Sequence, residues 1–360
     1  MSKVLYLTLH RAERSPSQRF RFEQYMEFLK QNGFDYKFSY LLDADDDKIF
    51  YSPRNYFAKA VISVKSIFRR IGEAINANDY DIIFVQRECF MLGTAIFEKL
   101  FARSKAKLIF DFDDSIWMQN VSDANKKLAF LKNAEKTSEI IRVADLIFAG
   151  NPYLRDYAKQ FNKNIAIIPT TIDTEEYKPV AHKNDGTVCI GWSGSITTIQ
   201  HFKYAIPALE IIKKKYGERI SIKVIGDGNY KNEALNVIAL PWIKADEVKE
   251  ISSFDIGIMP LPDDEWAKGK CGLKGLQYMA LEVPTIMSPV GVNSEIIRDG
   301  ENGFLATTTE EWVDKTSRLI ESEELRNKVG KAARQTVIEK YSVEALKPVY
   351  LSEFRKLLNA

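Results

Sequence analysis

Cysteine and histidine are both scarce, three of each in 360 residues. The cysteines (Cys89, Cys189 and Cys271) are odd in number, far apart and in no metal-ligand spacing. That argues against a disulfide framework and a structural zinc site, and fits reduced thiols in the cytoplasm. His10, His182 and His201 are too few for a hydrolytic cluster of several histidines. No run approaches the ~20 apolar residues of a membrane span. The start, MSKVLYLTLHRAER, is a short strand followed by charge, not the long apolar core of a signal peptide. Neither sign of charge is in excess: 51 Lys+Arg against 49 Asp+Glu leave +2, so any basic surface is local and wholesale nucleic-acid binding is not expected. A dinucleotide fingerprint is missing as well, because neither GWSGS (191–195) nor GDGNY (226–230) completes G-x-G-x-x-G. What remains is a soluble intracellular protein, one that can still touch a membrane.

What is present is an ordinary globular composition, 45% apolar and 28% charged, in a chain long enough for two domains. Continuous apolar runs at 3–9, 81–86, 107–112, 145–149 and 165–168 read as buried parallel strands. Helical stretches separate them at 17–30, 92–102, 124–143 and 152–161. A polar boundary at 175–187 (EEYKPVAHKNDGT) is followed by a second alternation. Its strands are expected at 188–192, 220–225, 237–240, 254–259 and 285–287, and its helices at 199–215, 245–252, 273–281, 310–320 and 323–340. An amphipathic helix, 343–358, ends the chain. Such alternation predicts two α/β domains of doubly wound type, with the crevice between them as the default ligand site.

Four loops at predicted strand ends carry unusual residues. In GKCGLKGLQYMALEVP (269–284), Lys270 and Lys274 flank a glycine turn at the start of a helix. Lysine there opposes the helix dipole unless an anion lies between, and unpaired first-turn N–H groups favour that anion, so the stretch reads as a diphosphate site. Arg19 and Arg21 fall in the first turn of the helix expected at 17–30. They suggest either a second anion site or a solvated helix end with salt bridges. Asp111, Asp113 and Asp114 close a strand in FDFDDSIW. Three carboxylates there suit a metal, a base, hydrogen bonds to sugar hydroxyls, or helix capping. Gly194 and Ser195 lie in GWSGS, where small residues bring backbone N–H groups near phosphate. Separately, 54–75 has apolar residues at helical spacing with Lys59, Lys65, Arg69 and Arg70, and no acid appears between Asp47 and Glu73. This is either a basic amphipathic helix lying on anionic lipid or a packed helix with a solvated face.

The run SSFDIGIMPL followed by GKCGLKGLQYMALEVPTIMSPVGVNSEIIRDGENGFLA resembles the nucleotide-sugar domain of family 4 glycosyltransferases of the GT-B fold. SPSQRFRFEQY, FDFDDSIW and IIPTTIDTEEY resemble that family's bacterial cell-surface polysaccharide members. The resemblance implies two Rossmann-like domains facing a central cleft: an acceptor-binding domain (1–178), a nucleotide-sugar-binding domain (179–340) and a final helix (341–360) returning to the first. It also implies a retaining transfer with neither metal nor cofactor required. The donor is a nucleotide-diphosphate sugar and the acceptor a glycan or lipid-linked glycan. The setting is cytoplasmic, peripheral on the inner face of the membrane.

The family's donor loop carries two glutamates, and their places hold Gly269 and Gln277. Gln277 can still meet ribose hydroxyls through its amide. The family's Arg and Lys pair is absent from GWSGSITT, which shifts the diphosphate onto Lys270 and Lys274. A histidine that usually follows the fourth strand is matched by Asp113. The expected donor-binding set is thus Gly194, Ser195, Trp242, Lys270, Cys271, Gly272, Leu273, Lys274 and Gln277, with Arg19, Arg21 and Asp114 for the acceptor. Asp113 and Lys274 are the expected catalytic pair. A catalytically weak nucleotide-sugar-binding subunit of a glycan-assembly complex is the alternative that the lost glutamates raise. A sugar-nucleotide epimerase would need more carboxylates and histidines than the chain offers.

Overall fold

A computed structural model describes residues 1–118, 133–180 and 186–359. Two units emerge: Met1–Thr170 together with Lys347–Ala360, and Thr171–Leu346.

In the first unit the strands are β1 (Ser2–His10), β2 (Phe34–Leu42), β3 (Ile82–Gln86), β4 (Lys107–Phe112), β5 (Leu146–Ala149) and β6 (Ile165–Ile167). They form one six-stranded sheet in the order β2-β1-β3-β4-β5-β6, every pairing parallel. The apolar runs of β3 and β5 are buried along their whole length, as central strands covered on both faces must be. β2 has no counterpart in the expected strands, because Asp35 and Lys37 break its apolar run. Its edge position tolerates them, and both are exposed there.

The helix expected at 17–30 is three short pieces: Pro16–Arg19, a 3-10 turn Glu23–Tyr25, and Met26–Gln31. Phe20, Arg21, Phe22 and Tyr25 are all buried, on more than one side of the segment, which a single amphipathic helix cannot arrange. Arg19 therefore lies in the last turn of a helix, where a cation suits the dipole, and Arg21 lies outside it. Residues 124–132 of the helix expected at 124–143 lie outside the described residues, and Glu135–Val143 is helical.

The final helix, Val343–Asn359, sends Tyr350 and Phe354 into the first unit's aromatic core. Tyr350 stacks on Tyr25 at 4.3 Å, and Phe354 meets Phe34 edge-on at 5.5 Å. Such packing returns the chain's end to the unit where it began.

The second unit holds β7 (Val188–Ser193), β8 (Ile220–Gly226), β9 (Ile238–Pro241), β10 (Ile256–Met259), β11 (Thr285–Met287) and β12 (Phe304–Leu305). Their order is β12-β11-β10-β7-β8-β9, again all parallel. Read from the other edge this is the doubly wound order 3-2-1-4-5-6, so the succession of strands reverses between β7 and β10. Ile190, Trp192, Val224, Ile258, Ile286 and Leu319 share its core.

The division falls at Thr170, ahead of the polar stretch 175–187, of which 181–185 (with His182) lie outside the described residues. Local bonds tie 171–178 to the second unit. Ile172 bridges to Ser342, and the Arg334 guanidinium donates to the carbonyls of Tyr177 (2.8 Å) and Thr174 (3.2 Å).

Helix Tyr56–Ile75 forms as its spacing requires, but its cations are engaged by the protein itself. Lys59 and Arg70 are buried, and Lys65 binds Asp43 and Asp46 at 2.9 and 2.7 Å. Arg69 donates to the Tyr40 carbonyl. Among the described residues no helix is long and apolar enough to cross a membrane.

Candidate functional site

At the carboxyl ends of β7 and β10, the turning point of the second sheet, two loops converge. After β10, Asp264 caps the short helix Glu265–Lys268 through the Ala267 N–H, 2.7 Å away. The chain then turns at Gly272, whose φ of +71° is a left-handed conformation that glycine adopts without strain. Helix Leu273–Ala280 starts there with no side-chain cap. Its first turn carries Lys274, whose Nζ stands 5.4 Å from the ring centre of Trp192, near the carboxyl end of β7. Lys270 lies over Trp266 at 5.0 Å. Both ammonium groups are therefore held against indole faces, which attract cations and restrict the side chains.

The helix is pinned to the end of β7 by Tyr278. Its hydroxyl accepts from the Ser193 N–H at 2.7 Å and pairs with the Ser193 hydroxyl at 2.9 Å. Burial raises the Tyr278 pKa, which keeps the phenol protonated for this role. Gly226 closes the arrangement from β8, where a Cβ would lie 2.5 Å from the Gly194 carbonyl.

The Gly194–Ser195 loop differs from expectation in one respect. Gly194 N–H donates to Ile225 O at 2.9 Å, and Ser195 N–H donates to the Thr198 hydroxyl at 2.9 Å. Both N–H groups meant for phosphate are spent within the fold. The loop presents hydroxyls instead, since Ser195 and Thr197 are exposed.

Gln277 is buried, and its amide nitrogen donates to Tyr177 Oη at 3.0 Å and Glu247 Oε1 at 3.2 Å. Trp242 Nε1 donates to the same Glu247 oxygen at 2.8 Å, and Tyr177 Oη donates to the other at 2.7 Å. Gln277 and Trp242, thirty-five positions apart in the sequence, thus share one buried carboxylate. Glu247 and Tyr177 were not among the expected residues; Tyr177 closes the IIPTTIDTEEY run, and no motif marks Glu247. Cys271 is buried, its thiol 3.8 Å from the Gly269 carbonyl.

In the first unit, the loops after β1, β3 and β4 meet. Asp113 receives Arg87 Nε at 2.8 Å, and Arg87 reaches Asp114 at 3.8 Å. Burial alone would raise the Asp113 pKa, but Arg87 and then Arg21 outweigh it and hold the carboxyl below its ordinary value. Arg87 has a φ of +61°, uncommon for a non-glycine residue, and was not among the expected residues. Asp114 accepts from the Ser115 N–H at 3.0 Å.

Arg21 is a correction. Its side chain is wholly buried, bound to Asp111 at 2.5 Å and to the Ile168 carbonyl, so it holds the core rather than an acceptor. Arg19 is largely buried, its guanidinium 4.8 Å from the Phe20 ring centre. Asp111 pairs with Arg21 and Asp113 with Arg87, so the three aspartates do not converge as a metal-ligand set.

The fold just described is that of the GT-B glycosyltransferases: two Rossmann-like units, each with a six-stranded parallel sheet. HepE of Anabaena, solved in complex with UDP and glucose, matches with a TM-score of 0.70 and 12% identity, covering 99% of this chain and 100% of that one. A glycosyltransferase from Rickettsia africae matches with a TM-score of 0.70 and 15% identity, over 99% and 98%. At those identities the likeness concerns the fold.

In sequence, residues 187–322 match the family model described as Glycosyl transferases group 1. The match lies within the second unit and spans its sheet from β7 to β12. N-acetyl-alpha-D-glucosaminyl L-malate synthase of Bacillus anthracis is 31% identical over 109 residues, which span 30% of this chain and 28% of that protein.

Proposed function

We propose that the protein transfers a sugar, with retention, from a nucleoside-diphosphate sugar to a glycan or lipid-linked glycan in cell-surface polysaccharide synthesis. The observation that carries this reading is Lys274, fixed over Trp192 in the first turn of an uncapped helix at the turning point of the second sheet. Open α/β sheets take ligands at that point. As the glycosidic bond breaks, negative charge grows on the leaving diphosphate. Two lysines and a helix N-terminus stabilise that charge more than the ground state. The leaving phosphate itself accepts the acceptor's proton, so no strong protein base and no metal is needed. Asp113, held ionised by Arg87, orients the acceptor or stabilises the positive sugar. Asp114 and Arg19 are the remaining candidates for acceptor contacts.

The ligands of similar structures support a UDP-linked donor: HepE was solved with UDP-glucose, and TarM with UDP and alpha-GlcNAc-glycerol. A thermal-shift panel of UDP-, GDP-, ADP- and TDP-sugars, followed by assay for transfer, tests the proposal. Stabilisation by one class together with transfer supports it. Stabilisation without transfer or slow hydrolysis would instead favour the nucleotide-sugar-binding subunit.

A further inference from the structure

The exposed face of helix Tyr56–Ile75 carries Phe57, Val61, Val64, Phe68, Ile71 and Ile75, each between 41% and 85% exposed. Their spacing is 4, 3, 4, 3, 4, the strict a/d pattern of a helix–helix seam rather than the wider apolar face of a surface helix. A helix lying on anionic lipid needs cations along its rim. Here Lys59 and Arg70 are buried on the opposite side, Lys65 is matched by Asp43 and Asp46, and the exposed Arg69 is folded back onto the Tyr40 carbonyl and ring. The positions flanking the seam are otherwise small or apolar: Ala58, Ala60, Ile67, Gly72 and Ala74. Small flanks let a second helix approach closely, and they place no charge against it apart from the paired Lys65.

We propose that this seam joins two copies of the chain through an antiparallel helix pair. The spacing reads the same in both directions, which an isologous two-fold contact requires. Reversal about the midpoint sets Phe57 against Ile75, Val61 against Ile71 and Val64 against Phe68. Two of these three layers combine an aromatic with a smaller aliphatic chain, so their sizes are complementary. This inference is independent of the proposed sugar transfer.

Sedimentation equilibrium of the full chain tests it. Wild type is expected at twice the chain mass, and Phe68→Glu at the chain mass, with self-association weakened on the order of a hundredfold and the far-UV circular dichroism unchanged. The double variant Phe57→Cys/Ile75→Cys is expected to cross-link under oxidation and Phe57→Cys alone is not, since the two ends of the seam lie ~27 Å apart. Native cysteines add little background because all three are buried. Wild type at the chain mass across the concentration range would overturn the proposal. So would binding to phosphatidylglycerol vesicles that Phe68→Glu abolishes while wild type stays monomeric, which assigns the seam to lipid. Cross-linking of Phe57→Cys by itself would overturn the antiparallel arrangement.

Discussion

Glu247 Oε1 lies 3.2 Å from the amide nitrogen of Gln277. The donor loop that this chain resembles carries a glutamate where Gln277 stands. Here a carboxylate from another helix already occupies the spot, bound by Trp242 and Tyr177 as well. A second carboxylate at 277 would put like charges across the 3.2 Å that the amide now bridges with a hydrogen bond. An amide is what the neighbour requires, so the substitution reads as local electrostatic compensation rather than decay of the site.

Gln277→Glu should therefore destabilise the second unit by about 2 kcal/mol or more at pH 7. Two carboxylates in one buried place raise the folded pKa of one above its unfolded value of about 4.3. A raised carboxyl pKa costs stability above that value, and the cost fades as pH falls toward it. Melting temperatures at pH 7 and pH 4.5 should show the gap to wild type narrowing. Exchanging the charges, Glu247→Gln with Gln277→Glu, should recover much of the loss; an equal penalty at both pH values would contradict this account.

Arg21 and Asp111 form a buried pair whose rupture leaves a carboxylate without its cation. Arg21→Met should cost about 3–5 kcal/mol, and adding Asp111→Leu should restore most of it. Urea denaturation reads both. An unchanged midpoint for Arg21→Met, with altered acceptor kinetics, would return Arg21 to ligand binding.

Asp47 links the loop after β1 to its surroundings. Burial would raise its pKa, but His10 and Arg14, the latter at 2.7 Å, hold it well below the usual carboxylate range. A depressed folded pKa gives stability that is present above about pH 4 and lost as pH falls through the folded value. Asp47→Asn should thus be less stable than wild type at pH 7, with the difference shrinking on acidification below pH 4. A difference that grows toward acid would reverse the assignment.

Much of the architecture was legible because parallel central strands write themselves as unbroken apolar runs, as in IIFVQ and VCIGWS. β2 was hidden by Asp35 and Lys37, tolerable only because the strand lies at an edge. In the site, Lys270, Gly272 and Lys274 could be read from one contiguous turn. Glu247, Tyr177 and Arg87 could not, since each acts through a partner at least 26 positions away. Arg21 was misplaced because helical periodicity continues through a segment that burial on several sides breaks into pieces.

The central claim is that Lys274 holds a diphosphate. Isothermal titration of UDP and uridine into wild type and Lys274→Ala tests it directly. The account predicts that the variant, with an unchanged melting temperature, binds UDP at least tenfold more weakly, about 1.4 kcal/mol, while its affinity for uridine is unaltered. UDP binding to wild type with no loss in Lys274→Ala would contradict it.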